Sequence, residues 1–381
     1  MGSRKSIFST VPRKSIVLFL LGVFFLFSTV GLASDMTEMG RQPMLRFVLS
    51  LLLTSLFCVG YAVAGFTLRG QSWKAMVPIF VVHFATLNVL ARWLPSRPAL
   101  TQMGAEEMAR LGSRLNWDAL AIVLAMMLGY ACFVYVSVTE GRRYFRVHAE
   151  MALATEIHHV LVPAIEAKLG EFEFYGRSAA SGEVGGDLID LAGSEEHWVA
   201  YVADVSGHGV APGVVMGMVK SASRMLLSSG DDSAHLMPRL NEVLYPLKKP
   251  DMFVTFCFLA EKEGSLRVGL AGHPSILHFS ARTGDVCPLE CLNMPLGILP
   301  SGKFQISEIA TEAGDIFALY TDGLLETANA AGEEFGVKRL AAELQKHGKE
   351  SLEAICGSLQ ESVAKHGGQF DDQSLLLIRK T

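Results

Sequence analysis

Four long apolar stretches in the first 140 residues constrain the fold of this chain most strongly. They cover approximately 15–33, 45–68, 75–94 and 117–138, and each approaches the ~20 residues that an α-helix needs to cross a bilayer. Half of all residues are hydrophobic, which is too many for an ordinary soluble protein unless they are concentrated in such segments. We therefore predict an all-α transmembrane region over residues 1–138, in the cell inner or plasma membrane.

The charges suggest how this region is oriented. Residues 1–150 carry 15 basic and 7 acidic side chains, whereas 151–381 carry 18 basic and 31 acidic ones. With four crossings, one side of the membrane receives Arg4, Lys5, Arg13, Lys14, Arg69, Lys74, Arg142, Arg143 and Arg146. The positive-inside rule then places both termini, and the C-terminal half, in the cytoplasm. Against this, Arg97, Arg110 and Arg114 fall on the outer side.

The first apolar stretch has two interpretations. One is a secretory signal peptide, because basic residues precede it and a cleavable small residue, Ala33, follows the run. The other is an uncleaved helix. We favour the uncleaved helix because the apolar run is long for a signal peptide and three further spans follow it.

Residues 139–169 are predicted to form a helical linker with one apolar face. An apolar stripe recurs at spacings of three and four residues, the period of a helix, and consists of Leu153, Ile157, Val160, Leu161 and Ala164. An apolar stripe of this kind requires a partner. It can pack on the C-terminal domain, where it would pass membrane signals on, or pair with a second copy as a short coiled coil, which would form a homodimer.

The remaining chain, 170–381, mixes strands with helices. The predicted strands cover 172–176, 198–204, 252–260, 266–271, 276–279, 316–321 and 373–379. The predicted helices cover 209–227, 235–248, 337–347 and 351–366. Many strands with helices in pairs are typical of an α+β domain.

Aspartates stand beside glycines or at strand ends in this domain. They are Asp187, Asp190, Asp204, Asp322, Asp371 and Asp372. A single Asp-Gly pair is typical of a surface turn. Carboxylates that converge from distant segments, however, supply the oxygen ligands that Mg²⁺ and Mn²⁺ prefer. The same acidity excludes a nucleic-acid partner, because phosphate neutralisation needs clustered Lys and Arg.

Eight short motifs in order resemble the SpoIIE/RsbU-type branch of the metal-dependent protein phosphatases, which are relatives of protein phosphatase 2C. They are VGGDLID (184–190), DVSGHG (204–209), MFVTF (252–256), AGHP (271–274), PLGI (295–298), LYTDGLLE (319–326), FG (335–336) and DDQS (371–374). The resemblance covers the whole catalytic half, from about residue 150 onward. It implies a two-layer antiparallel β-sandwich flanked by helices, with a metal site at one end.

The resemblance also implies roles for particular residues around two Mn²⁺ or Mg²⁺ ions. Asp204 would bridge both ions, and the Val205 carbonyl would bind the second. Asp322 and Asp371 would hold the first ion. The metal-holding set implied by the motifs is Asp187, Asp204, Val205, Asp322, Asp371 and Asp372.

His208 is a candidate for proton transfer, because a histidine titrates near neutral pH and could protonate the leaving alkoxide. A position after Gly207 can equally serve the turn and the helix that follows it. Both roles remain open at this point.

The function implied by the resemblance is hydrolysis of phosphoserine or phosphothreonine on a phosphorylated regulatory protein, such as an anti-anti-sigma-like partner. A water shared by two cations would supply the nucleophile. The alternative is a catalytically silent membrane receptor, in which the phosphatase fold only binds a partner.

Overall fold

The computed structural model describes residues 11–68, 72–97, 103–182, 184–207, 209–229, 232–262 and 265–381. Four residues singled out above lie outside these ranges: Arg4, Lys5, Arg69 and His208. Two compact units divide the chain, Met1–Val147 and His148–Thr381.

Four helices account for the apolar stretches of the described N-terminal region. They are α1 (Arg13–Thr37), α2 (Met44–Thr67), α3 (Trp73–Trp93) and α4 (Ala105–Leu161). All four are long and apolar enough to cross a membrane. The last of them continues past the fourth predicted span and ends in the second unit.

Within the N-terminal unit, α1 and α4 are antiparallel. Near the start of α1, Ser15 donates a hydrogen bond to Glu140 of α4 at 2.5 Å. Near the end of α1, Asp35 forms an ion pair with Arg114 of α4 at 2.8 Å. Close packing against α2 depends on Gly31, because a Cβ there would lie 2.6 Å from the Leu51 Cα. Small residues that let helix backbones approach are characteristic of packing between membrane helices.

The helix predicted over 139–169 ends earlier than expected, at Leu161. Beyond it, residues Ile165–Leu169 form the strand β1 instead of helix, so this part of the prediction is wrong. Pro163 explains the end, because proline lacks an N–H and disfavours helical geometry in the residue before it. Gly170, with φ of +54°, then provides the tight turn into the next strand.

The C-terminal unit contains two antiparallel sheets in the described residues. The first has the order β1-β2-β11-β10-β7-β8, and the second has the order β3-β4-β5-β6-β9. The remaining strands of the first sheet are β2 (Phe172–Ala179), β7 (Ile276–Phe279), β8 (Val286–Leu289), β10 (Ile316–Tyr320) and β11 (Gln373–Lys380). Those of the second are β3 (Leu188–Gly193), β4 (Trp198–Val205), β5 (Val254–Lys262), β6 (Ser265–Ala271) and β9 (Ile306–Ile309).

The side chains of β10 show how the layers are arranged. Because neighbouring side chains on a strand point to opposite faces, Phe317 and Leu319 join the core between the two sheets. Ile316 and Tyr320 join a second core on the outer face of the first sheet. At the inter-sheet core, the Trp198 ring packs edge-on against two phenylalanine rings, each with its centroid 4.8 Å away.

Helices cover both outer faces of this sandwich. α5 (Val210–Ser228) and α6 (Leu236–Leu247) contribute buried side chains to the core that includes the second sheet. α8 (Gly336–His347) and α9 (Leu352–His366) pack on the first sheet. A single turn, α7 (Asp322–Leu325), follows β10. The predicted α+β fold, two antiparallel sheets flanked by helices, is therefore confirmed.

Candidate active site

The predicted carboxylates lie at adjoining ends of the two sheets. In the second sheet, Leu188 of β3 pairs with Ala203 of β4, which places the preceding Asp187 next to Asp204. In the first sheet, Asp322 follows β10 and Asp371 precedes β11, and these two strands are paired. Four segments far apart in sequence are thus brought to one end of the sandwich.

Hydrogen bonds join the two sheet ends directly. Thr321 Oγ1 donates to Asp187 Oδ2 at 2.7 Å and accepts from Ser374 N at 3.0 Å. Both oxygens of Asp372 are also engaged. Its Oδ1 accepts from Ser181 N at 2.7 Å and its Oδ2 accepts from Gly186 N at 2.7 Å. Asp372 therefore holds the 181–186 loop against β11.

Two glycines permit this close approach. A Cβ at Gly186 would lie 2.6 Å from the Val205 carbonyl oxygen, which is closer than real Cβ atoms approach. A Cβ at Gly323 would overlap the Asp372 carbonyl oxygen. These motif glycines therefore act by the absence of a side chain, because the backbones that carry the aspartates must come together here.

The carboxylates are close enough to repel one another. Burial and the charges of Asp322 and Asp371 raise the pKa of Asp204 to about 7. Burial and the charge of Asp204 raise the pKa of Asp187 well above its ordinary value, although Ser374 and Thr321 counteract this by hydrogen bonding. Asp187 is only 2% exposed. Negative charge at this depth requires compensation by a proton or a cation.

The periphery of the cluster is acidic as well. Burial and the charge of Asp371 raise the pKa of Asp322. Burial and the charge of Asp322 raise the pKa of Glu326, one turn further along the chain. Asp322, Glu326 and Asp371 thus extend the acidic surface around Asp204.

A preformed metal cage is not present among the described residues, where no three His, Cys, Asp or Glu side chains share the mutual geometry of a metal site. The donor chemistry nevertheless suits a hard divalent cation, because the groups that gather around Asp204 are carboxylates. Their mutual repulsion is the force that such a cation would relieve. The residues present therefore fit divalent cations in charge and in type of ligand.

Asp190, although in the same motif as Asp187, belongs to a different site. Its carboxylate accepts two hydrogen bonds from Arg224, at 2.7 and 2.8 Å, and one from Tyr201 OH at 2.5 Å. Lys220 Nζ lies 3.2 Å away. Burial alone would raise the pKa of Asp190, but these partners hold it below its usual value. This buried ion pair fixes α5 on β3.

The loop after Asp204 is also held by backbone pairing. Val205 N donates to Gly186 O at 3.3 Å, and Ser206 N donates to Phe253 O at 3.0 Å. In return, Phe253 N donates to Ser206 Oγ at 2.9 Å. His208, the predicted acid, follows this loop and lies outside the described residues.

Three residues that position the carboxylates were not predicted from the sequence, namely Ser181, Thr321 and Ser374. Thr321 and Ser374 each stand within or beside an aspartate motif, so their hydroxyl groups were a usable signal. Ser181 carried none, because it lies in a loop of small residues and contacts Asp372 across 191 positions of sequence. Only the fold brings this pair together.

The chain is similar in sequence to known phosphatases. Residues 194–381 match the SpoIIE family, described as stage II sporulation protein E. The chain is 21% identical to the phosphoserine phosphatase RsbU of Bacillus subtilis, over 69% of this chain and 80% of that protein. It is 25% identical to the phosphoserine phosphatase RsbP of the same organism, but over only 46% of this chain and 45% of RsbP.

A solved structure agrees in fold. The SiaA-PP2C domain of Pseudomonas aeruginosa superposes with a TM-score of 0.56 at 22% identity, over 62% of this chain and 98% of that domain. Residues 194–381 therefore match the SpoIIE family, within a C-terminal unit that has the fold of a PP2C domain.

Proposed function

We propose that this chain is a membrane-anchored serine/threonine protein phosphatase that acts on a phosphorylated regulatory protein with the help of two divalent cations, Mn²⁺ or Mg²⁺. The observation that carries the proposal is the convergence of carboxylates on Asp204. A pKa of about 7 for a carboxyl group reflects negative charge that the protein itself leaves uncompensated. A bound cation would compensate it.

The proposed ligands are the carboxylates at the sheet ends and one carbonyl oxygen. Asp204 would serve both ions, Asp322 and Asp371 the first, and Asp187 and the Val205 carbonyl the second. When bound, such cations lower the pKa of a coordinated water and neutralise charge on a phosphoryl group.

The role of Asp372 is the least direct of the predicted metal-holding set. Both of its oxygens already accept hydrogen bonds from the 181–186 loop. We therefore place it as a positioning residue that adds negative charge beside Asp204. Its neighbour Asp371 would supply the ligand.

The side chains and backbone of the chain itself would then orient the proposed ligands and protonate the leaving group. Thr321 and Ser374 hydrogen-bond to the carboxylate of Asp187 and so counteract part of the rise in its pKa that burial and Asp204 cause. The hydrogen bond from Val205 N to the Gly186 carbonyl fixes the backbone that carries the Val205 carbonyl. His208 would donate a proton to the serine or threonine oxygen that leaves, a step that a group titrating near neutral pH performs well.

The likeness to RsbU and RsbP, both named phosphoserine phosphatases, supports phosphoserine as the substrate group. The anti-anti-sigma-like partner is what the motif resemblance implies. The four apolar helices support a multi-pass membrane anchor surrounded by lipid. We place both termini and the catalytic unit in the cytoplasm on the charge pattern. The exposed side chains Leu153, Ile157 and Val160 of α4 support a homodimer through this helix.

Phosphate release from a phosphoserine peptide, measured with and without Mn²⁺, tests the enzymatic proposal. We expect metal-dependent hydrolysis that Asp204→Asn abolishes. Asp285→Asn is the matched control, because Asp285 is an exposed aspartate in the β7–β8 turn. A protein that binds Mn²⁺ but releases no phosphate would support the silent receptor instead.

The substrate is tested in cells. An Asp322→Asn protein should leave the natural partner phosphorylated, so phosphoproteomic comparison with wild type should reveal phosphosites that accumulate. If phosphorylation changes on no serine or threonine, the proposed substrate class is wrong.

A further inference from the structure

A buried polar cluster lies in the N-terminal unit, far along the chain from the carboxylates described above. Asp35 of α1 is 0% exposed, Asp118 of α4 is 5% exposed and Gln42, between α1 and α2, is 1% exposed. Arg114 Nε lies 2.8 Å from Asp35 Oδ2. Ionisable groups buried within apolar helices are costly and are usually functional.

The hydrogen bonds of this cluster are incomplete. Arg114 Nη1 donates to the Gln42 carbonyl at 2.9 Å, and Gln42 Nε2 donates to Ser34 Oγ at 3.2 Å. Within the part of the chain that the structure describes, four further buried atoms of this cluster lack a hydrogen-bond partner: Asp35 Oδ1, Asp118 Oδ2, Gln42 Oε1 and Arg114 Nη2. Three of the four are acceptors. The cluster therefore lacks a donor.

The missing donor should carry a positive charge. Two carboxylates and one guanidinium leave one negative charge uncompensated, because Asp35 and Arg114 are the charged groups that act on Asp118. Arg46 Nη2 pairs with Glu38 Oε1 at 2.7 Å, so these two charges balance each other. Arg41 is oriented toward the Glu38 carbonyl oxygen.

A proton bound to one of the two carboxyl groups would supply both the missing donor and the missing positive charge without moving any atom of the cluster. The carboxyl groups of Asp35 and Asp118 are within hydrogen-bonding reach of each other. Two carboxylates cannot bond to one another unless one of them carries a proton, and carboxylates that share a site hold that proton between them. Arg114 disfavours a metal cation at the same place, because its guanidinium already contacts Asp35.

We propose that Asp35 and Asp118 form a proton-binding site that joins α1 to α4. The site lies at the opposite end of this helix pair from the Ser15–Glu140 hydrogen bond. With both termini in the cytoplasm, as proposed above, it faces the outer side of the membrane. Loss of the proton would leave two carboxylates in contact and loosen α1 from α4.

Infrared difference spectroscopy of the full chain in lipid nanodiscs, recorded as the pH is raised, tests the proposal. We expect wild type to lose the absorption of one buried protonated carboxyl group. Asp118→Asn should lack this component, because an amide donates the same hydrogen bond without titrating. Glu106→Gln, an exposed acid one turn from Arg110, should keep it. Carboxylates of the C-terminal unit contribute equally to all three spectra and cancel.

Two results would overturn the proposal. One is an Asp118→Asn spectrum that changes with pH as wild type does. The other is a carboxyl signal that responds to added Na⁺ at constant pH, which would identify a metal cation instead. Thermal unfolding of Asp118→Asn, expected to match wild type at low pH, verifies that the variant is folded. Phosphatase activity is not a readout, so the outcome is independent of the proposed enzymatic function.

Discussion

Thr321 Oγ1 donates a hydrogen bond to Asp187 Oδ2 at 2.7 Å, although 134 positions separate the two residues. The same hydroxyl accepts from Ser374 N. One buried hydroxyl therefore ties β10, β11 and the segment before β3 together and stabilises the ionised form of Asp187.

Replacing Thr321 with valine should reveal both effects. Without the donor, the pKa of Asp187 rises further, so the acidic limb of the kcat/KM profile should move to higher pH. Stability should fall by about 1–3 kcal/mol because Ser374 N loses its acceptor. Thr321→Ser, which keeps the hydroxyl, should show neither change. Identical pH profiles for the valine and serine variants would contradict this role.

Replacement by asparagine should affect mainly activity at Asp187 and mainly stability at Asp190. Asp187→Asn should abolish metal-dependent hydrolysis with little loss of stability, because it removes a buried charge that Asp204 repels. Asp190→Asn should cost about 3 kcal/mol of stability, since it leaves Lys220 and a half-exposed Arg224 without their buried partner. Urea titration and a phosphate-release assay measure the two effects. Equal loss of activity and stability in both variants would refute the separation of the sites.

Without divalent cations, residues 148–381 should become less stable as the pH rises. Asp204 has a folded pKa of about 7 against an ordinary value of 3.8, so the folded state binds a proton that the unfolded state releases. The associated stability is present below pH 3.8 and is lost as the pH rises through about 7.

Fluorescence of Trp198, the one tryptophan in this unit, can follow this thermal unfolding in the presence of a chelator. Asp204→Asn should flatten the pH dependence, and Mn²⁺ should restore the stability of wild type at high pH. A wild-type stability that does not change between pH 4 and 8 would rule out the proposed linkage.

Asp371 and Asp372 are adjacent but should have different roles, Asp371 in binding the metal and Asp372 in stabilising the fold. Asp372→Asn cannot accept all the hydrogen bonds from Ser181 and Gly186, so it should lose about 1–3 kcal/mol of stability. Asp371→Asn should reduce the affinity for Mn²⁺ and leave the unfolding midpoint nearly unchanged. Mn²⁺ titration of activity together with chemical denaturation distinguishes them. If both variants lost only metal affinity, Asp372 would be a ligand after all.

The exposed apolar stripe at the end of α4, which includes Leu153 and Ile157, should control the oligomeric state and the activity of the full-length protein. Leu153→Asp and Ile157→Asp place charges on side chains that are 57% and 51% exposed, so the fold should tolerate them. If the stripe forms a homodimer, the double variant should be monomeric and altered in activity. Light scattering in detergent and phosphate release test this. If the oligomeric state and the activity were both unchanged, the proposed role of α4 in dimerisation and in control of activity would be excluded.

Most of the sandwich could be predicted because its strands are continuous apolar runs. The strand predicted at 276–279 matches β7 (Ile276–Phe279), and the helix predicted over 351–366 matches α9 (Leu352–His366) within one residue. Four strands were not predicted: β1, β3, β8 and β9. In β3, Asp190 interrupts the apolar run. β8 and β9 are four residues long, and the middle residues of each are exposed, so their pattern is weak. β1 continues the spacing of α4 and was mistaken for helix.

The candidate site was predictable in composition but not in connectivity. The order of the motifs and the position of their aspartates at predicted strand ends indicated which aspartates belong to one site. Nothing in the sequence distinguishes the buried ion pair of Asp190 from the cluster around Asp187, because that difference depends on which side of β3 each carboxylate occupies. The pairing of Asp35 with Asp118 was likewise invisible, since it results from the antiparallel packing of α1 and α4.

The central position of β11 in the first sheet has a consequence during translation. This strand is synthesised after all its neighbours, yet it separates β2 from β10 and brings Asp371 and Asp372 with it. A ribosome that stalled before it would leave two unpaired strand edges open to aggregation and proteolysis. Such a fragment would also lack Asp371 and Asp372 of the proposed site. Under the function proposed above, incomplete chains would not dephosphorylate the partner.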